Sequence, residues 1–368
     1  MKRIMKIFVI ASAFIGVIVG AGFASGQEVL QYFTSFGTLG ILAAFVSTVL
    51  FAYVGMMLVW LGSRSQTSSY NEVIYKISHF KFIEKLIRFN LIGVIVDAVL
   101  VFTLFGVGVV MIAGAGSNLN QQFGLPHVAG AILMTVLVLL TGMLKVDKVV
   151  AVISSITPFL ILFVIFISIY SFVTADGSLA VLNSTAQSHG PNFPNWFVAG
   201  LNYATFNTSV GAAMSIVMGS AVKDRKTAAI GGLVGGIGLG VLIILSYYAI
   251  FAKVEEVGSF EMPMLGIVNN ISPVLGVIMS IVLFGMIFNT AISMFFAFVA
   301  RFAKVETKKF NIILMITLAA GFILSFVGFT DLVSKFYSLI GYMGLALIVV
   351  LIITPFRMKN IDFEDKGE

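Results

Sequence analysis

Two carboxylates stand where a carboxylate is costly. Asp97 lies in Gly93-Val94-Ile95-Val96-Asp97-Ala98-Val99, and Glu28 closes Gly20-Ala21-Gly22-Phe23-Ala24-Ser25-Gly26-Gln27-Glu28. Both belong to stretches apolar enough for a bilayer interior, where an ionisable side chain is a functional site by default. The lysines and arginines fall at loops or helix ends, so none obviously reaches Asp97. Asp97 is therefore expected to hold a proton or to pair with a bound cation, that is, to serve proton or ion coupling. The structural alternative is a neutral acid hydrogen-bonded to a neighbouring helix. Glu28 reads first as the fourth position of a capping box with Ser25 as its N-cap. A cation-attracting or coupling role comes second. Other chemistry is poorly served. There is no cysteine, and His79, His127 and His189 have no zinc-ligand spacing. There is no His-Glu-x-x-His, no Gly-x-Ser-x-Gly elbow, no paired membrane aspartates and no nucleotide motif, which argues against an enzyme and an ATP-driven pump.

The elements that must hold these acids are apolar runs. Hydrophobic residues make up 59% of the 368 and charged residues 10%, a balance no soluble domain has. The runs fall at about 4–34, 38–62, 83–114, 127–143, 147–173, 195–220, 227–252, 273–302, 309–328 and 333–355. Each meets or approaches the roughly 20 residues that cross a bilayer, so ten transmembrane helices are expected. With the N-terminus in the cytoplasm, all of the 22 lysines and arginines except Lys253 and Lys335 fall on the cytoplasmic side. The net charge of +6 thus reflects topology, not nucleic-acid binding. The basic start and apolar first run resemble a signal peptide, but the run is long and leads into Val29-Leu30-Gln31-Tyr32-Phe33, so retention is expected.

Ten helices divide into five and five: a first repeat over 1–175, an external loop over 176–194, a second, inverted repeat over 195–356 and a cytoplasmic tail over 357–368. The first helix carries glycine at 16, 20, 22 and 26, which predicts a break partway through the membrane. Irregular backbone at that depth is tolerated where it is buried in protein or lines a cavity. The sixth helix should be broken to match, and its run Asn202-Tyr203-Ala204-Thr205-Phe206-Asn207-Thr208-Ser209-Val210-Gly211 offers the backbone competing hydrogen bonds. Gly231, Gly232, Gly235, Gly236, Gly238 and Gly240 of the seventh helix are assigned to close packing.

The pattern Gly16-x-x-Val19-Gly20-x-Gly22, with the polar run in the sixth helix, resembles the amino acid–polyamine–organocation superfamily and its five-plus-five leucine-transporter fold. The run Gly20 to Glu28 resembles most the YkvI-type bacterial membrane proteins, and Phe260-Glu261-Met262-Pro263-Met264-Leu265 is similar to the superfamily's re-entrant external loop. The resemblance implies an all-α multi-pass protein of a bacterial cell membrane, with both termini cytoplasmic. It implies a substrate site between the two breaks: free amides around Gly20, Gly22, Phe23, Ala24 and Ser25 for a carboxylate, Phe206 as an aromatic lid, with Asn207 and Ser209 beside it. It also implies a sodium site from the carbonyls of Gly16 and Val19 with Asn289 and Thr290, although Asn289 replaces one of the two hydroxyls usual there. A sodium ion is the one cofactor implied. The buried lysine that some relatives carry on the fifth helix is absent from its apolar stretch, which has Ser154, Ser155 and Thr157.

The function expected on this basis is secondary transport by alternating access, importing an amino acid or related small amine with sodium or protons. The alternative is a ligand sensor of the same fold, similar to a germinant-receptor subunit. The segment 63–88 reads as a basic surface that enforces topology or touches anionic lipid, and 362–368 as a disordered tail.

Overall fold

A computed structural model describes residues 2–66, 70–79, 90–143, 157–175, 177–305 and 307–357. The expectations for residues 80–89, for the start of the fifth apolar run and for the tail lie outside them. The described chain is all-α. Its first run is divided into α1 (Lys2–Ile18), α2 (Ala21–Ser25) and α3 (Gln27–Tyr32), followed by a 3-10 turn over Thr34–Leu39. Then come α4 (Gly40–Ser65), α5 (Tyr70–Ile77), α6 (Leu91–Phe123), α7 (His127–Gly142), α8 (Thr157–Val173) and α9 (Leu179–Ser188). The second half holds α10 (Trp196–Ser220), α11 (Arg225–Ala252), α12 (Val254–Val257), α13 (Pro263–Ile271), α14 (Pro273–Ala300) and α15 (Lys308–Ser325). The last run is a short α16 (Phe329–Asp331), a π segment (Leu332–Tyr337) and α17 (Ser338–Arg357).

Among the described residues, six helical stretches are long and apolar enough to cross a membrane: Thr34–Ser65, Leu91–Phe123, Arg225–Ala252, Pro273–Ala300, Lys308–Ser325 and Phe329–Arg357. His127–Gly142 and Leu162–Val173 are apolar but shorter. The first run drops out of this set because its helix is divided, and α10 because its middle is polar. The outward faces of α7, α8, α14 and α15 carry Leu140, Leu162, Ile169, Phe172, Ile281, Ile316 and Ile323, all exposed. Apolar surface on that scale suits lipid and not water. The chain is a multi-pass membrane protein.

Small residues set the packing. α4 lies between α10 and α11, α1 runs along α11, α6 packs on α14, and α10 on α17. A Cβ on Gly232 or Gly236 would overlap the backbone of Gly55 or Phe51, and one on Gly200 or Gly219 the backbone of Ala43 or Val59. Gly232, Gly235 and Gly236 of α11 thus bring backbones into near contact, while Gly231, Gly238 and Gly240 make room for the side chains of Ile10, Ile15 and Thr48. α5 buries Val73, Ile74 and Ile77 in one cluster with Leu58 and Leu61 of α4 and Val350 of α17, so this part of the basic segment is docked on the protein.

The expected break in the sixth helix is not there: α10 is continuous from Trp196 to Ser220. Its polar side chains bond within the helix without displacing the ladder. Asn207 Nδ2 donates to Tyr203 O at 3.1 Å, Thr208 Oγ1 to Ala204 O at 2.6 Å, Ser209 Oγ to Thr205 O at 3.1 Å and Thr205 Oγ1 to Asn202 O at 2.8 Å. Such back-bonding satisfies a hydroxyl or amide inside an intact helix.

Candidate binding site at the break in the first helix

The helical ladder of α1 ends with Val19 N donating to Ile15 O at 2.8 Å and resumes with Ala24 N donating to Gly20 O at 3.0 Å. The carbonyls from Gly16 to Val19 and the amides from Gly20 to Phe23 fall outside it. Gly20 is extended at the start of α2, with φ −97° and ψ −174°. A second bend follows at Gly26, whose φ of +85° is left-handed and whose N–H closes onto Phe23 O at 3.0 Å. A Cβ there would come within 2.8 Å of Ile250 Cδ1 and of Met264 Cγ, so both backbone angle and space require glycine.

The capping box is not formed. The N-cap of α3 is Gly26, while Ser25 is the last residue of α2. Ser25 Oγ donates to Gly22 O at 2.9 Å and accepts from Gln27 N at 3.2 Å. Glu28 is thereby released from a capping role and turns inward. It is 4% exposed, and Tyr203 Oη donates to its Oε2 at 3.0 Å. Its other oxygen fills the space over Gly22, where an added Cβ would overlap Oε1. No ion pair to Glu28 occurs among the described residues.

Tyr203, the donor to this carboxyl, belongs to an aromatic cluster. Tyr203 makes edge contacts with Tyr32 at 5.1 Å and Phe33 at 4.9 Å between centroids, and lies 6.5 Å from Phe206. Phe206 is buried and stacks on Tyr337 of the π segment at 4.1 Å. Asn202 ties the elements together: Tyr32 Oη donates to its Oδ1 at 3.4 Å, and its Nδ2 donates to Ser338 O at 2.9 Å. α3, α10 and the tenth run therefore meet at one point. Tyr32 and Tyr203 were not singled out from sequence; Tyr32, four residues after Glu28 on one helical face, carried the available signal.

The remaining expected residues divide. Phe23, Ala24 and Ser25 are buried within the bent segment beside Gly20 and Gly22. Asn207 is bonded to its own helix, and Ser209 lies against Gly344 of α17, where a Cβ would overlap its Oγ. On the other side of the break, a Cβ on Gly20 would sit 3.7 Å from Thr290 Oγ1, so α14 brings Thr290 to the break as expected. Asn289 Oδ1 is buried with no hydrogen-bond partner. Backbone carbonyls, a hydroxyl and an unsatisfied amide oxygen are donors of the kind a hard cation takes, so the residues fit sodium in chemistry.

Asp97 differs from expectation. α6 begins at Leu91, which places Asp97 in its second turn and not near mid-membrane. Arg301, at the end of α14, reaches it: Nη2 to Oδ2 is 2.7 Å. The apolar run was centred on Asp97, but the helix is shifted toward Phe123, and a long guanidinium side chain spans the gap. Asp97 is therefore a member of an ion pair at one helix end.

The loop before α14 packs against the bend in the first run. α13 buries Pro263 through Val268. Gln121 at the end of α6 grips Met262 from both sides, Nε2 donating to O at 2.9 Å and Oε1 accepting from N at 2.9 Å. Met264 then rests on Gly26.

No protein-family model matches the chain. It is similar in sequence to two proteins of Bacillus subtilis (strain 168): the uncharacterized membrane protein YkvI, 26% identical over 93% of this chain and 94% of that one, and the uncharacterized protein YyaD, 23% identical over 94% and 96%. In structure it resembles the inward-facing conformation of Mhp1, a nucleobase-cation-symport-1 family transporter, with TM-score 0.64 over 98% of this chain and 80% of that one at 13% identity. It also resembles MhsT in complex with L-phenylalanine, with TM-score 0.57 over 97% of each chain at 15% identity. The manganese transporter of Eremococcus coleocola gives TM-score 0.54 over 99% and 88% at 12% identity. The fold is that of the leucine-transporter-like proteins.

Proposed function

We propose that the chain is a secondary transporter working by alternating access, not an enzyme, and that Glu28 is its coupling carboxylate. The observation that carries this reading is a buried acid with no basic partner among the described residues, set against a break in a helix that crosses an apolar layer. An uncompensated acid at such depth has a function other than stability. In this reading the ten apolar runs are ten spans in two five-helix repeats, 1–175 and 195–356, with both ends in the cytoplasm. The substrate is an amino acid or related small amine, and sodium or protons drive its import. Sodium would be held by the carbonyls of Gly16 and Val19 with Asn289 and Thr290, and the substrate would lie among Gly20, Gly22, Phe23, Ala24, Ser25 and Phe206. Asn207 and Ser209 have their polar groups bonded within α10 and are left out of the site. The pair Asp97–Arg301 joins α6 to α14 and acts as a latch, with coupling left to Glu28.

Proteoliposomes containing the purified chain test this. Uptake of radiolabelled amino acids and amines is measured under a sodium gradient, a pH gradient and neither. The expectation is concentrative uptake under one gradient, lost in Glu28→Gln while the variant inserts and folds. Concentrative uptake retained by Glu28→Gln removes Glu28 from coupling, and no gradient-driven uptake of any solute removes the transport reading.

A further inference from the structure

We infer that the groove beside the Asp97–Arg301 pair binds one anionic phospholipid, with its phosphate on Arg301 and an acyl chain laid along α6. This place is apart from the break in the first helix and independent of what crosses there. A cavity of about 770 Å³ opens between α6, α14 and α15, within the roughly 300–1,000 Å³ that small-molecule sites occupy. Its apolar wall is Phe102 and Phe105 of α6, Phe298 and Phe302 of α14 and Ile316 of α15. Phe105 lies 5.4 Å from Phe298 and Phe298 5.1 Å from Phe302 between centroids, so the rings form one strip. Phe102, Phe302 and Ile316 are exposed, so the strip faces outward, where a membrane protein meets hydrocarbon. From Asp97 to Phe105 it runs about 12 Å along α6, at 1.5 Å per residue.

Apolar wall alone would border any lipid; the charged end selects one. Arg301 lines the cavity and meets Asp97 through a single contact, Nη2 to Oδ2 at 2.7 Å. Asp97 Oδ1 has no hydrogen-bond partner, so the carboxylate does not take the guanidinium as a two-pronged fork. Arg301 makes no other side-chain hydrogen bond among the described residues, and its side chain is 36% exposed. Planar N–H donors are thus left for a second anion, and a phosphate matches their spacing. The surrounding charge favours an anion as well. Residues 301–309 carry Arg301, Lys304, Lys308 and Lys309 against Glu306 alone, and the three lysines are exposed. Basic side chains at the end of a membrane helix attract anionic headgroups. A free phosphate would use only the charged end, whereas a phospholipid uses the charged end and the strip that continues from it.

The test is native mass spectrometry of the full-length purified protein, released from micelles holding equal dioleoylphosphatidylglycerol and dioleoylphosphatidylcholine. The wild type should retain one phosphatidylglycerol over phosphatidylcholine by about tenfold, the low end for a charge-assisted hydrogen bond. Arg301→Gln should remove the preference. Ala320→Phe, on an exposed cavity-lining position of α15, should fill the groove and lose the retained lipid with the charges intact. If Arg301→Gln does not fold, the wild type and Ala320→Phe still decide. Lys226→Gln, on the exposed basic turn before α11, should keep the preference and separates a site from general attraction. Equal retention of the two lipids by the wild type overturns the inference, as does a preference unchanged in Arg301→Gln or in Ala320→Phe. Loss of the preference in Lys226→Gln as large as in Arg301→Gln overturns it too. So does displacement of the lipid by inorganic phosphate or glycerol 3-phosphate, which would show an anion site with no use for the strip.

Discussion

Gly22→Ala and Tyr203→Phe should be strongly non-additive, because both act through one carboxyl. Tyr203→Phe keeps the ring contacts and removes only the 3.0 Å donor to Glu28. Interhelical hydrogen bonds in membrane proteins are worth about 0.6 kcal/mol on average and at most about 1.7. Gly22→Ala places a methyl where Glu28 Oε1 now lies, with Cδ at 2.8 Å and Cγ at 3.0 Å, so the whole side chain must move. Overpacking costs about 1–3 kcal/mol, at the lower end when a flexible side chain can yield. Since Glu28 yields by leaving Tyr203, the alanine variant already contains the loss of that hydrogen bond. The double variant should then match Gly22→Ala alone, with a coupling energy of about 0.6–1.7 kcal/mol equal to the bond. Unfolding free energies of the four proteins in mixed micelles, with the same cycle on ligand binding, measure it. Additive effects would mean that Glu28 accommodates the methyl without releasing Tyr203, and the placement of its carboxyl over Gly22 would be wrong.

Other substitutions test the surrounding frame. Gly26→Ala must carry a left-handed φ of +85° and meet Met264 and Ile250, and should destabilise by about 1–2 kcal/mol from the backbone alone, read by thermal unfolding. Asp97→Arg and Arg301→Asp should each lower stability and the combined swap should recover most of it; the side chains are 15% and 36% exposed, so the recovery should be about 1 kcal/mol, well below that of a fully buried pair. If neither single reversal has an effect, the pair does not join α6 to α14. Gly236→Ala, whose Cβ would overlap the backbone of Phe51, should cost about 1–3 kcal/mol or more, because backbone cannot move aside as a side chain can; the yield of folded, monodisperse protein is the check.

Much of the frame was legible in the sequence because apolar length and basic flanks are coarse signals that survive without structure. The glycines at 16, 20, 22 and 26 located the bend, and Gly26 indeed takes a conformation that other residues avoid. The acids were found by type, but their surroundings were not. The spacing Ser25-x-x-Glu28 satisfies a capping box on paper, yet the helix restarts one residue later, at Gly26, and the glutamate is freed. Asp97 was assigned from the centre of an apolar run, but run boundaries do not give helix register, and the distance to Arg301, 204 positions on, is set by how α6 and α14 pack. In α10 the polar run has two solutions, an unwound segment or back-bonding to carbonyls one turn earlier, and only tertiary context chooses. Tyr203 was hidden by abundance: with 35 phenylalanines and 10 tyrosines, no single ring stands out until its neighbours are known.

The seat of Met264 on Gly26 makes the outer cover and the elbow of the first helix one mechanical part. The elbow exists because Gly26 is left-handed and has no side chain, and that missing side chain is the seat itself. Lifting α13 uncovers the elbow, and straightening the elbow would drive backbone into Met264 and lift α13. Glu28, two residues further on, moves with either event. In the proposed transporter, uncovering the elbow and re-aiming the carboxyl would be a single step. A protein built this way would take up its solute and its driving ion in a fixed order, because neither can settle before the cover that hides both has gone.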